Sequence, residues 1–481
     1  MTACLTFDNP STREAAITPT PPNDLSDRIR IVNAGVPAPS ATPAGGMQSL
    51  GERFRNLIIL VRADPIICGH STEARNLAEA AHAAGLEKIH IVSYPIQTLK
   101  KSGLPLKPLA SVQSYSQGIE VDRPEPIGDY KVLDGRLGYA ISGHLIGLLN
   151  DCDGPTLVMD LYIVPHGMMV MNAVNAQQHF GPRGRVATIA EAVGSDITNV
   201  VNAALKSGEI GTAQLVLSNY LSHELPVAVS EYTRTLIVEA GRKVDAVVGT
   251  RFEPQLRERV RISYPAIDTA KYLSVQKHPK RVHEALSERG LKRDGYILFL
   301  SRLARAKGVD DLIHAYRASD AYGEKKLVIC GNGPESERLH ELTDADPNIT
   351  LLHDVGDEEK ALLMHGCGMY CLPSKARPEF TETFGIAIAE KMLAGGLGPV
   401  ITTRTGGIPE ATGDRCLYHE AGNVQDLTRA LDQAYSMTDD QRRQLSDDAR
   451  RFAMRFDKAA VFGNLLEQLA TPSAKGAAAM A

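Results

Sequence analysis

The feature that most constrains this chain is a repeated alternation of short apolar runs, glycine- or proline-marked loops and segments with helical periodicity. It begins with "RNLIILVRA" (55–63) and "STEARNLAEAAHAAGL", and continues through "KIHIVSYP", "PTLVMDLYIVP", "LPVAVSEYTRTLIVEAG" and "RVRISYPAI" (259–267). It resumes with "GYILFL", "KKLVIC", "NITLLH", "GMYCLP" and "GPVITT". Strands that read as continuous apolar runs are buried on both faces, and helices between them at intervals of about 20–30 residues make the sheets parallel. A chain of 481 residues is too long for one core. The expected fold class is therefore α/β, with two Rossmann-like domains. Ligands of open α/β sheets sit outside the carboxyl ends of the strands, so a central cleft between two facing sheets is the expected binding place.

Residues 1–54, rich in Pro, Thr, Ala and Ser, read as a flexible arm, and 55–272 as the first domain. The polar "SVQKHPKRVHE" suggests a linker at 273–285, followed by a second domain at 286–455. A helix at 456–470 has the option of crossing back, and 471–481 read as a tail. A formal net charge of −5 advertises no basic surface for nucleic acid. No apolar run reaches membrane-spanning length and no signal pattern opens the chain, so a cytoplasmic location is expected. Seven scattered cysteines without a CxxC fit a reducing compartment. "CGMYC" (367–371) reads as cysteines beside a core strand, and "DCDG" (151–154) as a helix-to-strand turn, so no metal is expected at either.

Several loops at strand ends carry chemistry. In "FLSRLARAKGVDDLI" (299–313), Arg302 and Lys307 follow a strand and suit a diphosphate, the alternative being a solvated basic loop. "VICGNGPESERL" places Gly331 and Gly333 in a strand–turn–helix that lacks the third glycine of a dinucleotide fingerprint, which favours a tight turn. In "RPEFTETFGIAIAEKMLAGG" (377–396), Glu382 precedes a helix whose N-terminus offers free N–H groups. Glu390 lies two turns further, about 12 Å along the axis. One carboxylate at each end suits the hydroxyls of a sugar and of a ribose. "TTRTGGIPE" sets Gly406 and Gly407 after a strand, where backbone can come close to a phosphate.

Taken in order, "AVSEYTR", "ISYPAIDTAKY", "SRLARAKGV", "GNGPE", "ETFGIAIAE" and "TGGIPE" resemble the retaining GT-B glycosyltransferases of family 4, over roughly residues 225–415. The resemblance implies a GT-B fold and sugar transfer, with retention, from a nucleoside-diphosphate sugar to a hydroxyl. It implies that Arg302 and Lys307 hold the diphosphate, Glu382 the sugar hydroxyls and Glu390 the ribose. Backbone at Thr383, Phe384, Gly385 and Ile386 would meet sugar and phosphate, and backbone at Val355 the base. A histidine at the tip of a first-domain strand often approaches the donor in this family; His166 in "YIVPHG" fills that role here, the alternative being a polar loop histidine. The family's Gly-Gly loop after the first strand is represented by Gly69 and His70 in "ADPIICGHSTEARN", and Ser301 replaces a usual glycine. The donor is a substrate, so no cofactor is expected. The acceptor is expected to be small and soluble, with the segment 187–225, read as helical, lining its pocket. A nucleotide-sugar epimerase, a pseudo-glycosyltransferase and a non-catalytic sugar-nucleotide binder share the same fold. Oligomeric state is left open, a homodimer included.

Overall fold

A computed structural model describes residues 54–470, apart from 63, 66–68, 102–113, 129–134, 180–183 and 379. The N-terminal arm through residue 53 and the tail at 471–481 lie outside the described residues. Phe54 is already in the first core.

The first sheet is made of β1 (Asn56–Leu60), β2 (Lys88–Val92), β3 (Ile119–Asp122), β4 (Thr156–Leu161), β5 (Val186–Ala192), β6 (Leu225–Ala228) and β7 (Arg261–Ile262). They are all parallel, in the order β3-β2-β1-β4-β5-β6-β7. The second holds β8 (Tyr296–Leu300), β9 (Lys326–Cys330), β10 (Ile349–Leu352), β11 (Met369–Leu372), β12 (Val400–Thr402) and β13 (Leu417–Tyr418). It is also parallel, in the order β10-β9-β8-β11-β12-β13. Both orders reverse direction once, between β1 and β4 and between β8 and β11. Those two switch points are where a ligand crevice forms in such sheets.

Burial on both faces is visible in β1 itself. Leu57 and Ile59 pack with the helices Gly69–Ala83 and Lys458–Ala470. Ile58 and Leu60 pack on the opposite side with the helices Gly135–Asp151 and Ile163–Gln177. The C-terminal helix thus returns to the first domain, inserting Val461, Phe462, Leu465, Leu466 and Leu469 into its core. The two crossings lie side by side: Ile267 N–H donates to Phe456 O and Lys458 N–H to Ile267 O, at 2.8 and 2.9 Å. Tyr264, Phe384 and Phe456 cluster between them with centroids 5.0–5.5 Å apart, Phe456 edge-on to both of the others and Tyr264 tilted against Phe384.

Three sequence expectations need correction. The segment 187–225 is not helical throughout, because its first six residues belong to β5, between β4 and β6. "VATIAEA" is alanine-rich and buried on both sides, so neither composition nor periodicity marks it as a strand. The expected linker 273–285 is folded. The helices Thr269–Val275 and Pro279–Glu288 seat Val275, Val282 and Leu286 in the second core, and the remaining polar face gave the stretch its linker-like look. Of "RVRISYPAI", only Arg261–Ile262 pairs as strand. Among the described residues no helix is long and apolar enough to cross a membrane.

Candidate active site

On the second domain, the chain leaves β8 into the loop that carries Arg302 and Lys307. Arg302 is exposed and makes no ion pair among the described residues. Its guanidinium carbon lies 5.9 Å from the centre of the Phe380 ring, and Lys307 Nζ lies 4.8 Å from the same ring. Lys307 is buried and ion-paired with Glu382, a residue 75 positions away. The two groups to which the family resemblance assigns separate parts of a ligand are therefore partners of each other.

Backbone contacts hold this arrangement. Gly331 has φ +146, and a Cβ there would lie 2.0 Å from Ser301 O; one at Gly333 would lie 2.2 Å from Leu303 O. Leu303 N–H donates to Asn332 O at 2.9 Å. The "GNG" turn is thus a buttress under the basic loop, the tight-turn reading. Gly406 and Gly407 likewise abut the carbonyls of Glu382 and Thr383, where a Cβ would come within 2.0 Å. Gly407 N–H donates to Glu382 O at 2.9 Å. This corrects the expectation that these two glycines approach a phosphate; what they approach is the strand of chain that carries Glu382.

The helix Ile386–Ala394 starts at Gly385, whose φ of +104 suits glycine alone. Its first internal bond runs from Ile388 N–H to Gly385 O. Among the described residues no acceptor meets the N–H groups of Phe384, Gly385, Ile386 or Ala387. Free donors at the positive end of a helix dipole favour a negative charge there. The Phe384 side chain itself is buried in the aromatic stack between the domains. Glu390 is buried, and both its oxygens are engaged, by the Tyr272 hydroxyl at 2.6 Å and by Lys360 Nζ at 2.5 Å. Val355 is half-buried between β10 and the helix Asp357–Gly366 that carries Lys360.

The first domain faces this wall at its own switch point. A Cβ on Gly69, the first residue of its helix, would lie 2.9 Å from Ile386 Cδ1, so two helix N-termini meet across the cleft. Gly194 comes as near to Thr383, with 3.2 Å from a Cβ to Cγ2. Further along, Glu410 of "TGGIPE" crosses to the helix Glu231–Val248, accepting the N–H groups of Glu231 and Tyr232 at 2.8 and 3.0 Å. Sequence reading gave Glu410 no role.

His166 stands elsewhere than expected. It lies in the first turns of the helix Ile163–Gln177 and is fully buried, 3.7 Å from Asp160, so it presents no surface to the cleft. From β4 the chain passes through a non-helical Val164 into this helix and packs His166 against Asp160 rather than leaving it in a loop. Asp160, His166, His223 and Glu191 have no hydrogen-bond partners for their side-chain N and O atoms among the described residues. Burial holds Asp160 well above the usual carboxylate range and lowers His166 and His223 to about 3. Burial also raises Glu73 to about 7, against the Glu191 carboxyl that burial and Glu73 push up further. His70 is lowered to about 4, first by burial and then by Arg62. At neutral pH the histidines of this region are therefore neutral.

Known proteins resemble the chain in the same terms. The family model of "Glycosyl transferases group 1" matches residues 284–452. A 2-deoxystreptamine N-acetyl-D-glucosaminyltransferase of Niallia circulans is 26% identical over 147 residues, 29% of this chain and 35% of that protein. An N-acetyl-alpha-D-glucosaminyl L-malate synthase of Bacillus anthracis is 24% identical over 294 residues, 58% of this chain and 64% of that protein. The matches therefore span less than two thirds of either relative. In fold, Anabaena HepE in complex with UDP-glucose superposes with a TM-score of 0.57 at 16% identity, covering 86% of this chain and 99% of that one.

Proposed function

We propose that the protein transfers a sugar, with retention, from a nucleoside-diphosphate sugar to a hydroxyl of a small soluble acceptor: the model of the group 1 glycosyl transferases matches residues 284–452, and the whole takes the GT-B fold. The observation that carries the reading is the conjunction, at the second domain's switch point, of a guanidinium without an ion pair, a buried Lys–Glu pair and a helix start with four N–H groups that meet no acceptor, all among the described residues. In the step proposed, the bond from the anomeric carbon to the diphosphate oxygen breaks as the acceptor oxygen bonds to that carbon. The acceptor's proton passes to the departing phosphate. Arg302, Lys307 and the N-terminus of the Ile386 helix meet the charge that develops on that leaving group. Glu382, relieved of Lys307 by the diphosphate, accepts sugar hydroxyls. Glu390 meets the ribose by exchanging one present partner for a hydroxyl.

The test is a calorimetric titration with UDP, GDP, ADP and dTDP and their sugar forms. One nucleotide is expected to bind, and Arg302→Ala to weaken it roughly ten- to a hundredfold, the loss of one charge-assisted contact of ~1.5–3 kcal/mol. Binding of none, or indifference to Arg302→Ala, would refute the site. Mass spectrometry of the products then separates transfer to an acceptor from epimerisation, which would return a changed sugar nucleotide.

A further inference from the structure

At the first domain's switch point stands a second guanidinium with no partner among the described residues. Arg62 follows β1, is half-buried, and lies over the Tyr162 ring with its central carbon 5.4 Å from the ring centre. Among the described residues no carboxylate pairs with it. Asp64 is taken by Arg123 and by the Tyr115 hydroxyl, and Asp160 lies fully buried beside His166. Asp196 is spent on the N–H groups of Val193, Gly194 and Ile163 at 3.0–3.1 Å. A half-buried cation in such surroundings is costly unless an anion completes it.

The aromatic surface around it is built, not incidental. Tyr162 has φ +133 and ψ 92, a conformation that a bulky residue rarely adopts and that costs about 1–3 kcal/mol. Its ring meets His70 edge-on at 5.6 Å. His70 adjoins Gly69 at the Ile386 contact, and the Asp196 bonds tie the Tyr162 corner to Gly194 at the Thr383 contact. Arg62 and Tyr162 therefore stand on the first-domain side of the line along which the two domains touch. The second domain already offers a diphosphate its own free cation, its lysine and its helix start. On the first domain the neighbouring histidines are neutral, which leaves Arg62 as the charge for a different molecule.

We propose that Arg62, seated on Tyr162, holds a phosphate or carboxylate group of the acceptor, so that the hydroxyl receiving the sugar belongs to an anionic small molecule. The inference rests on the transferase reading above and adds the acceptor's class to it. The planar fork suits either anion in a bidentate contact, and Tyr162 supplies an apolar face for the carbon skeleton beside it.

The experiment titrates glucose 6-phosphate, L-malate and neutral glucose into protein saturated with whichever nucleotide binds, for the native chain, Arg62→Ala and Arg62→Lys. At least one anionic probe should bind more tightly than glucose. It should lose at least tenfold in Arg62→Ala and part of that in Arg62→Lys, while nucleotide affinity stays within twofold in both. Weaker nucleotide binding in Arg62→Lys, which keeps the charge and the fold, would place Arg62 in the donor site and overturn the proposal. So would binding of neither anion, or binding that Arg62→Ala leaves unchanged. If no nucleotide binds the native chain, the transferase reading itself fails. The same titrations without nucleotide then decide whether an Arg62 anion site exists at all.

Discussion

Glu410 joins the two domains through backbone, which makes its removal unusually readable. The helix Glu231–Val248 has three N–H groups at its start with assigned acceptors. Ser230 Oγ takes Thr233 N–H at 3.0 Å from within the first domain, and Glu410 takes the other two from the second. Replacing a capping side chain by alanine costs ~0.5–2 kcal/mol, and a half-buried carboxylate with two N–H bonds belongs in the upper part of that range, at about 1–2 kcal/mol. At 1.4 kcal/mol per factor of ten, Glu410→Ala should speed amide hydrogen exchange at Glu231 and Tyr232 about five- to thirtyfold. Ser230→Ala provides the contrast, because it should speed Thr233 without touching a contact between the domains. Glu410→Gln, which keeps one acceptor oxygen, should fall between native and alanine. If exchange at Glu231 and Tyr232 in Glu410→Ala matches the native protein, the cross-domain cap does not hold in solution and the reasoning is wrong.

Glu382→Gln should cost about 3–5 kcal/mol of stability, because it leaves Lys307 buried beside a neutral partner. Adding Lys307→Met should restore most of the loss in thermal unfolding while transfer stays abolished. Gly406→Ala should cost at least about 2 kcal/mol, since its Cβ would meet Glu382 O at a φ of +59, and should lower sugar-nucleotide affinity through displacement of Glu382. Tyr272→Phe deprives buried Glu390 of one partner and should cost about 1–3 kcal/mol in the same unfolding assay. The Glu73–Glu191 pair predicts a pH effect whose sign follows from a folded pKa raised to about 7: its stabilising contribution is present below the ordinary carboxylate range and lost as pH rises through about 7. Melting temperature should therefore fall between pH 5 and 8, and the slope should flatten in Glu73→Gln.

Much of the second domain was legible because β8, β9, β11 and β12 each end in a glycine or basic loop that interrupts an apolar run within one or two residues. The strand identities followed, and so did the placing of Arg302, Lys307 and Glu382 around one crevice. What sequence could not supply was the pairing. Lys307 and Glu382 are 75 residues apart, and no local rule brings one to the other. Glycines misled for a related reason. A glycine marks close approach of something to backbone, but pattern alone does not distinguish a phosphate from another stretch of chain. β5 hid behind alanines, and the burial of His166 is invisible to a resemblance that only places it at a strand tip. Glu410 is the clearest omission: an acid on a five-residue helix has no signature, and its function exists only once a second domain brings a helix start to it.

The two walls of the cleft are therefore built by different means, and this bears on how each could change. On the second domain, a Cβ at Gly308, Gly331, Gly333, Gly406 or Gly407 would strike a backbone carbonyl oxygen within 2.0–2.2 Å. Contacts of that kind fix loops regardless of most side-chain substitutions, and they position Lys307, Glu382 and the Ile386 helix. On the first domain, the corner at Tyr162 is held by a carboxylate, Asp196, and backed by buried groups without hydrogen-bond partners among the described residues. A single substitution can reshape such a wall at modest cost to the fold, whereas the glycine-braced wall resists it. A site divided in this way keeps one ligand constant while its partner changes, which is the division a transferase with a shared donor and a particular acceptor requires.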